Sequence, residues 1–284
     1  MYPRRKMSPL VFFHIPKTAG SSFHDILADL YPKERSFSVT GGYPMERLEE
    51  LKRLPEEELQ ELSLLKGHLL LNADRILGKQ CVYLSFFRDP IQRTVSSFHY
   101  IKRAGHNRFH EEVKGLRLRE FPAFLIEKKW NDLQTRNLVT PPEKLLHEEE
   151  RDPLPDLRIY GVEEAVRILH EKIDHPLITE EFDRSLVYLA RELDWPYVPT
   201  PPVKNASGSK EVKRLGQRTL GELEKVNELD LELYEKAKAI FYRNLEAVWD
   251  DAMEKELYEL QDRKKAGPSS SPGFFERLKK KLWS

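Results

Sequence analysis

The sequence is poor in cysteine, in net charge and in long apolar runs, and each of these absences excludes a class of protein. Cys81 is the only cysteine among 284 residues, so the chain can form no internal disulfide and no cysteine cluster for zinc. Lys plus Arg and Asp plus Glu both number 47, which leaves no global basic field of the kind that marks nucleic-acid binders. No segment approaches the ~18 consecutive apolar residues that span a bilayer.

The remaining composition predicts a globular protein in a reducing compartment. Hydrophobic residues make up 39% of the chain, which is enough for a buried core. The charged start of the sequence is followed by the short apolar run 10–13, which we expect to be a core strand and not a signal peptide. We therefore expect a cytoplasmic location and no nucleic-acid partner.

The most informative stretch is residues 10–22, LVFFHIPKTAGSS. An apolar run breaks at Pro16 and is followed by a lysine, a glycine and three hydroxyl side chains before helical spacing begins at Phe23. This order predicts a strand, an anion-binding loop and a helix, because the free N–H groups and the dipole at a helix start favour phosphate or sulfate. Lys17 adds a positive charge to the loop. The Walker A pattern is absent, so a nucleoside triphosphate is not the expected ligand.

A second transition from strand to helix lies in residues 81–100, CVYLSFFRDPIQRTVSSFHY. The apolar run at its start is typical of a strand covered on both faces. Asp89 and Pro90 predict an N-cap and a first helical turn, which places Arg88 at the end of the strand. Ser96 follows about two turns along the helix, on the face of the cap, where one phosphate could bridge it to Arg88. Alternatively, Arg88 pairs with a carboxylate and Ser96 is an ordinary helix-surface hydroxyl.

A candidate for a catalytic base lies in the apolar run 64–71, LLKGHLLL. Gly67 inside a strand pattern indicates close backbone approach, and His68 then falls near the end of the strand. On sequence alone, a histidine in such a place is more often a hydrogen-bonded structural residue than a catalyst. His14, beside the anion-binding loop, is the second candidate for a base.

The coarse pattern alternates strands with helices in the first part of the chain. Strands are predicted at 10–15, 64–69 and 81–87, and helices at 21–30, within 45–62 and at 90–103. Such alternation implies an α/β fold of three layers, with a central parallel sheet flanked by helices. Ligands of such sheets collect outside the carboxyl ends of the strands. Because Lys17, His68 and Arg88 all fall at predicted strand ends, we expect one crevice to hold them.

The later part of the chain is predicted to be mainly helical. A last strand is expected at 177–179, an amphipathic helix at 182–193, and a mostly helical segment over 218–265 with an apolar stripe that reads as a packed core face. Residues 104–119 lack periodicity, which predicts a loop that either covers the acceptor or is a plain connection. The members of the stripe are Leu231, Tyr234, Ala237, Ile240, Phe241, Leu245 and Val248.

The two strand-to-helix motifs also carry a family resemblance. HIPKTAGSS at 14–22 resembles the 5′-phosphosulfate loop, and FRDPIQRTVSSF at 87–98 resembles the 3′-phosphate motif, of sulfotransferases that use 3′-phosphoadenosine 5′-phosphosulfate (PAPS). The chain most resembles the carbohydrate branch that includes heparan sulfate 2-O-sulfotransferase and its bacterial relatives. Later segments that resemble landmarks of this group are 131–138, 177–189 and 203–207.

The resemblance implies a P-loop NTPase-like sulfotransferase fold with a helical C-terminal extension. It implies transfer of a sulfuryl group from PAPS to a hydroxyl of a carbohydrate or glycolipid, with release of the desulfated product PAP and without a metal. Arg88 and Ser96 would bind the 3′-phosphate, His68 would be the base, and Lys17 would stabilise the leaving phosphate. The 5′-phosphosulfate would be held by Lys17, Thr18, Ala19, Gly20, Ser21 and Ser22. The polar loop 204–210 would close over the nucleotide.

Two other hypotheses stay open at this point. One is an atypical P-loop-like kinase that depends on magnesium and ATP, against which the missing Walker A pattern argues. The other is a non-catalytic PAPS-binding or nucleotide-binding adaptor. The presence of all four candidate residues argues against it; they are Lys17, His68, Arg88 and Ser96. The sequence leaves the oligomeric state and the identity of the acceptor open.

The end of the chain departs from the resembled family. We divide the chain into a sulfotransferase domain at 1–250, a helical extension at 251–266, a flexible linker at 267–273 and a basic amphipathic tail at 274–284. The tail, FFERLKKKLWS, combines aromatic residues with three consecutive lysines, which is typical of peripheral contact with an anionic membrane. Docking of the tail on the protein itself or on a partner is the alternative.

We predict that full-length protein partitions onto anionic vesicles more strongly than a chain that ends at Ala266. The lysines would attract anionic headgroups while the aromatic side chains enter the interface. Co-sedimentation with vesicles rich in phosphatidylserine measures this, with neutral phosphatidylcholine vesicles as the control. Equal partition of the two proteins would contradict the prediction.

Overall fold

The core of the fold is a five-stranded sheet in the order β2-β3-β1-β4-β5, in which every pairing is parallel. The computed structural model describes residues 8–41, 44–140, 157–201 and 209–266. The strands are β1 (Leu10–Phe13), β2 (Ser36–Val39), β3 (Leu64–Gly67), β4 (Val82–Phe87) and β5 (His175–Ile178).

Helices flank the sheet and give the predicted three-layer α/β architecture with a helical C-terminal extension. Three short 3₁₀ turns occur at Lys33–Arg35, Leu118–Glu120 and Thr179–Glu181. The helices are α1 (Gly20–Leu30), α2 (Pro44–Lys52), α3 (Glu56–Glu61), α4 (Ala73–Leu77), α5 (Pro90–Arg103), α6 (His110–Val113), α7 (Phe121–Glu127), α8 (Leu133–Val139), α9 (Leu157–Lys172), α10 (Phe182–Glu192), α11 (Ser209–Val212), α12 (Gln217–Lys225), α13 (Glu228–Val248) and α14 (Asp251–Ala266).

The central position of β1 in the sheet explains its unbroken apolar run. All four of its residues are buried, since β3 and β4 lie on either side and helices cover both faces. A strand in this position has no solvent-facing side, so its residues do not alternate between apolar and polar. The same reason accounts for β4, in which only Val82 is partly exposed.

The main differences from the sequence-based expectations are short and have local causes. β1 and β3 each end two residues earlier than predicted. In β3 the cause is a turn of the chain at Gly67 and Leu69, which have φ angles of 139° and 64°. The edge strand β2 was not predicted, since its sequence SFSV is half polar and only Val39 is buried. Residues 104–119 contain α6 and the start of a 3₁₀ turn, so the predicted loop is partly helical.

The predicted helical C-terminal half is confirmed, with a small shift of the buried face. The stripe on α13 is buried from Tyr234 to Leu245, while Leu233 takes the buried place expected for Leu231. α14 packs on α10, where Lys264 Nζ lies 2.7 Å from Asp183 Oδ2. No helix in the part of the chain that the structure describes is long and apolar enough to cross a membrane.

Several predicted segments lie outside the described residues. They include the linker at 267–273, the tail at 274–284 and the loop at 204–210 except for its last two residues, which open α11. The proposed division at residue 250 coincides with the short break between α13 and α14, and it stays a prediction.

Two carboxylates join α8 and α13 by capping each other's helices. Asp230 on α13 accepts the N–H groups of Gln134 and Thr135 at 3.0 and 2.8 Å. Asp132, which precedes α8, accepts the N–H groups of Leu229 and Asp230 at 2.9 and 3.1 Å. Each carboxylate therefore satisfies free donors at a helix start, where a negative charge is also favoured by the dipole. Burial and the charge of Asp230 raise the pKa of Asp132 to about 6.

The same cluster holds a buried arginine from α5. Arg93 is 1% exposed, and its Nε lies 3.8 Å from Asp230 Oδ2. Its Nη2 donates to Thr94 Oγ1, which in turn donates to Asn227 Oδ1 at 2.9 Å. Because a lone buried charge is costly, Asp230 is the group that makes the burial of Arg93 tolerable. The cluster thus ties α5, α8 and α13 together.

We predict that Asp230→Ala lowers the free energy of unfolding by about 3–5 kcal/mol. The substitution leaves the buried Arg93 charge without its counter-charge and two N–H groups at the start of α8 without their acceptor. Asp230→Asn keeps an acceptor and should lose less. Urea denaturation followed by circular dichroism measures both, with Glu232→Ala as the control on an exposed position of the same helix. Equal stability of Asp230→Ala and Glu232→Ala would contradict the prediction.

Candidate active site

Three loops that leave neighbouring strands meet at the carboxyl edge of the sheet. The loop after β1 carries Lys17, His68 follows β3, and Arg88 follows β4. Among the contacts that join the loops, His68 Nδ1 lies 2.8 Å from the carbonyl oxygen of His14, and Arg88 Nη1 donates to the carbonyl of Lys17 at 3.2 Å. The structure therefore brings the three predicted residues into one crevice.

The loop between β1 and α1 is shaped by its backbone. Lys17 and Ala19 have φ angles of 71° and 68°, in the left-handed region, and Ala19 is the N-cap of α1. Thr18 is fully buried and its hydroxyl donates to the carbonyl of Ile15 at 2.8 Å. The Thr18 side chain therefore stabilises the loop. This turn aims the start of α1 at the crevice, as an anion site requires.

A glycine is required at the first position of α1. A Cβ atom on Gly20 would lie 1.8 Å from Nε2 of His14, far inside van der Waals contact. The His14 ring thus packs directly on the helix start and fixes the base of the anion loop. Ser21 is exposed and Ser22 partly exposed, so both predicted ligand residues lie at the accessible end of the helix.

The rings of three histidines are in contact beside the loop. The ring of His14 lies 4.7 Å from that of His68, nearly parallel, and 5.1 Å from that of His24, edge to face. Burial lowers the pKa of His14 well below its usual value, and the neighbouring histidines and Lys17 lower it further. Burial also lowers the pKa of His68, although the hydrogen bond to the His14 carbonyl opposes this. Both rings are therefore neutral at pH 7.

The hydrogen bond of His68 determines which nitrogen carries its proton. A carbonyl oxygen can only accept, so Nδ1 of His68 donates to His14 and Nε2 is left with a lone pair. Gly67 fixes the position of the residue, since a Cβ atom there would lie 2.1 Å from the carbonyl oxygen of Val39. The predicted close backbone approach at Gly67 is thus present. His68 remains partly exposed, beside the loop that carries Lys17.

Lys17 is the central cation of the crevice. Its Nζ lies 4.3 Å from the centre of the exposed Tyr100 ring, in a cation–π contact. Burial, followed by the charges of Arg88 and Arg103, lowers the pKa of Lys17 to about 8. Burial and the neighbouring positive charges therefore both disfavour the protonated form of Lys17. An anion bound between these cations would relieve their repulsion.

Arg88 precedes α5, and Ser96 lies in the second turn of that helix. The predicted cap is present, since Asp89 accepts the N–H of Gln92 at 2.8 Å and Pro90 opens the helix. Ser96 is 6% exposed, so it is not the ordinary surface hydroxyl of the alternative interpretation. The backbone of Arg88 is held by the side chain of Gln134.

Four residues near the crevice were not singled out from the sequence. Tyr100 and Arg103 follow Ser96 at spacings of four and seven, so helical periodicity could have placed them on the same face of α5. Gln134 and Glu180 come from distant segments, and Glu180 accepts the N–H of Asp89 at 3.1 Å. No spacing rule could have joined these two to Arg88.

A parallel sheet with a basic anion loop, a basic strand end beside it and a neutral histidine next to the loop is an arrangement that suits a sulfotransferase. The family model for galactose-3-O-sulfotransferase matches residues 1–267, so the chain belongs to this family. It is a transferase that sulfates carbohydrate, as the resemblance implied. No curated protein matches the chain. The closer resemblance to the heparan sulfate 2-O-sulfotransferase branch stays a prediction.

Proposed function

We propose that this enzyme transfers the sulfuryl group of PAPS to a hydroxyl of a galactosyl residue, with His68 as the catalytic base. The observation that carries the proposal is the hydrogen bond from His68 Nδ1 to the His14 carbonyl, which leaves Nε2 of the neutral ring unprotonated and able to accept a proton. The family name supplies the substrate class, and the 3-hydroxyl of galactose is the acceptor that we infer from it.

The donor fits the charges of the crevice. Burial, and then the nearby charges of Arg88 and Arg103, lower the pKa of Lys17, and such a group of cations is expected around the site of a polyanion. PAPS carries a 3′-phosphate and a 5′-phosphosulfate, so it offers two anionic groups to two basic loops. Arg88 and Ser96 would bind the 3′-phosphate, while Lys17 and the N–H groups at the start of α1 would bind the 5′-phosphosulfate.

The reaction follows as an in-line displacement at sulfur. The acceptor hydroxyl oxygen forms a bond to sulfur while the bond from sulfur to the bridging oxygen of the 5′-phosphate breaks. The hydroxyl proton passes to Nε2 of His68, and PAP leaves with the bonding electrons. Lys17, in its protonated form, stabilises the charge that grows on the bridging oxygen. The stacked His14 ring holds His68 in place without taking the proton.

We predict that Arg88→Ala weakens PAP binding by on the order of 10- to 100-fold, since it removes a charge-assisted hydrogen bond to phosphate. It should raise the KM for PAPS more than the KM for the acceptor. Calorimetry without added metal measures this, with ATP and AMP as competing ligands. Arg119→Ala, on an exposed arginine, is the matched control.

Two results would overturn this assignment. Absence of PAP binding to the wild-type protein would remove the donor, and a magnesium-dependent preference for ATP would favour the kinase hypothesis. Binding of PAP without turnover on galactosides would favour a non-catalytic adaptor.

We also predict a bell-shaped pH profile for kcat/KM with PAPS as the varied substrate. The acid limb lies below pH 6.5, because the lowered pKa of His68 keeps the base neutral until the pH falls through it. The alkaline limb begins near the Lys17 pKa of about 8, above which the lysine loses its charge in the free enzyme. Lys17→Arg should keep its charge and shift the alkaline limb upward. A profile that stays flat to pH 10 in the wild type would contradict this.

A further inference from the structure

Arg88 lies just beyond the hydrogen-bonded part of the sheet. β4 pairs with β1 only as far as Leu84 and with β5 only as far as Phe87, so neither neighbouring strand continues to Arg88. A backbone that leaves a parallel sheet at this point must find other partners for its N–H and C=O groups. The direction in which the arginine side chain points depends on what those partners are.

The partners come from a single side chain on α8. Oε1 of Gln134 accepts the N–H of Arg88 at 2.9 Å, and Nε2 of Gln134 donates to the carbonyl oxygen of Arg88 at 2.9 Å. The glutamine amide thus takes the place that a neighbouring strand would hold. The side chain is fully buried, so water does not compete for these hydrogen bonds.

A hydrogen bond to α13 fixes the backbone of Gln134. Its backbone N–H donates to Asp230 at 3.0 Å, as part of the cap that joins α8 to α13. A rigid connection therefore runs from Asp230 through Gln134 to Arg88. On its far side, Arg88 donates to the carbonyl of Lys17 at 3.2 Å, which links the end of β4 to the anion loop.

We propose that Gln134 is a positioning residue for PAPS, which fixes the Arg88 guanidinium at the 3′-phosphate and sets its distance from the 5′-phosphosulfate loop. This inference rests on the proposed function and deepens it. Gln134 does not touch the ligand and acts through Arg88. Its contribution is to binding of the nucleotide, because an arginine that is already oriented loses less conformational entropy when it binds.

The test is a double-mutant cycle on PAP affinity. Gln134→Met replaces the amide by an apolar side chain of similar length, and Gln134→Asn keeps a buried amide that is too short to span both Arg88 atoms. Thr135→Val is the matched control, because Thr135 is the next buried residue on α8 and its hydroxyl has no hydrogen-bond partner among the described residues. Urea denaturation first shows that each variant is folded.

We expect Gln134→Met and Gln134→Asn each to weaken PAP binding by about tenfold, the loss of one to two hydrogen bonds. In the Arg88→Ala background the same substitutions should change PAP affinity by less than about twofold, since the residue they act through is gone. The KM for PAPS should rise while kcat at saturating PAPS and the KM for the acceptor stay within about twofold. Thr135→Val should bind PAP like the wild type.

A merely structural role would give a different result. Equal losses in the wild-type and Arg88→Ala backgrounds, or an equal loss in Thr135→Val, would overturn the inference. So would a fall in kcat with unchanged PAP affinity. These outcomes differ from failure of the proposed function, in which the wild-type protein itself would not bind PAP.

Discussion

The parallel pairing of β1 with both β3 and β4 is the constraint on which the rest of the molecule depends. Parallel strands end at the same edge of a sheet, so three loops that lie far apart in the chain emerge side by side. Their residues can therefore make contacts that no single loop could make. His68 contacts the loop after β1 through the His14 carbonyl, and Arg88 contacts it through the Lys17 carbonyl. The geometry of the candidate site therefore follows from the order of the strands in the sheet.

A second layer of buried polar groups holds that geometry in place. Asp230 and Asp132 cap each other's helices, and Asp230 also lies beside the buried Arg93. Such a cluster is costly unless all its charges and donors are matched, and it then specifies one arrangement of the helices. Gln134 connects this cluster to Arg88 at the crevice. Helices α8 and α13 thus help to decide where Arg88 lies.

The crevice combines cations with neutral imidazoles. Lys17, Arg88 and Arg103 repel one another, which favours an anionic ligand, whereas burial keeps His14 and His68 uncharged. The two effects serve different parts of the proposed reaction, because the cations meet the donor and the neutral histidine meets the acceptor proton. Two glycines leave the space that the positions of His14 and His68 require. Gly20 gives the His14 ring its space, and Gly67 lets His68 approach the end of β2.

The sequence by itself determined the sheet, most of the helices and the three strand ends that carry Lys17, His68 and Arg88. These features follow from local rules: apolar runs make buried strands, Asp89 caps α5, and a glycine in a strand marks close backbone approach. It missed β2, whose half-polar edge sequence carries no strong signal. Only the tertiary structure decided the tautomer of His68 and the contacts of Gln134 and Glu180. Those contacts join residues 46 to 91 positions apart in the chain, and helix and strand periodicities describe only neighbours along one element.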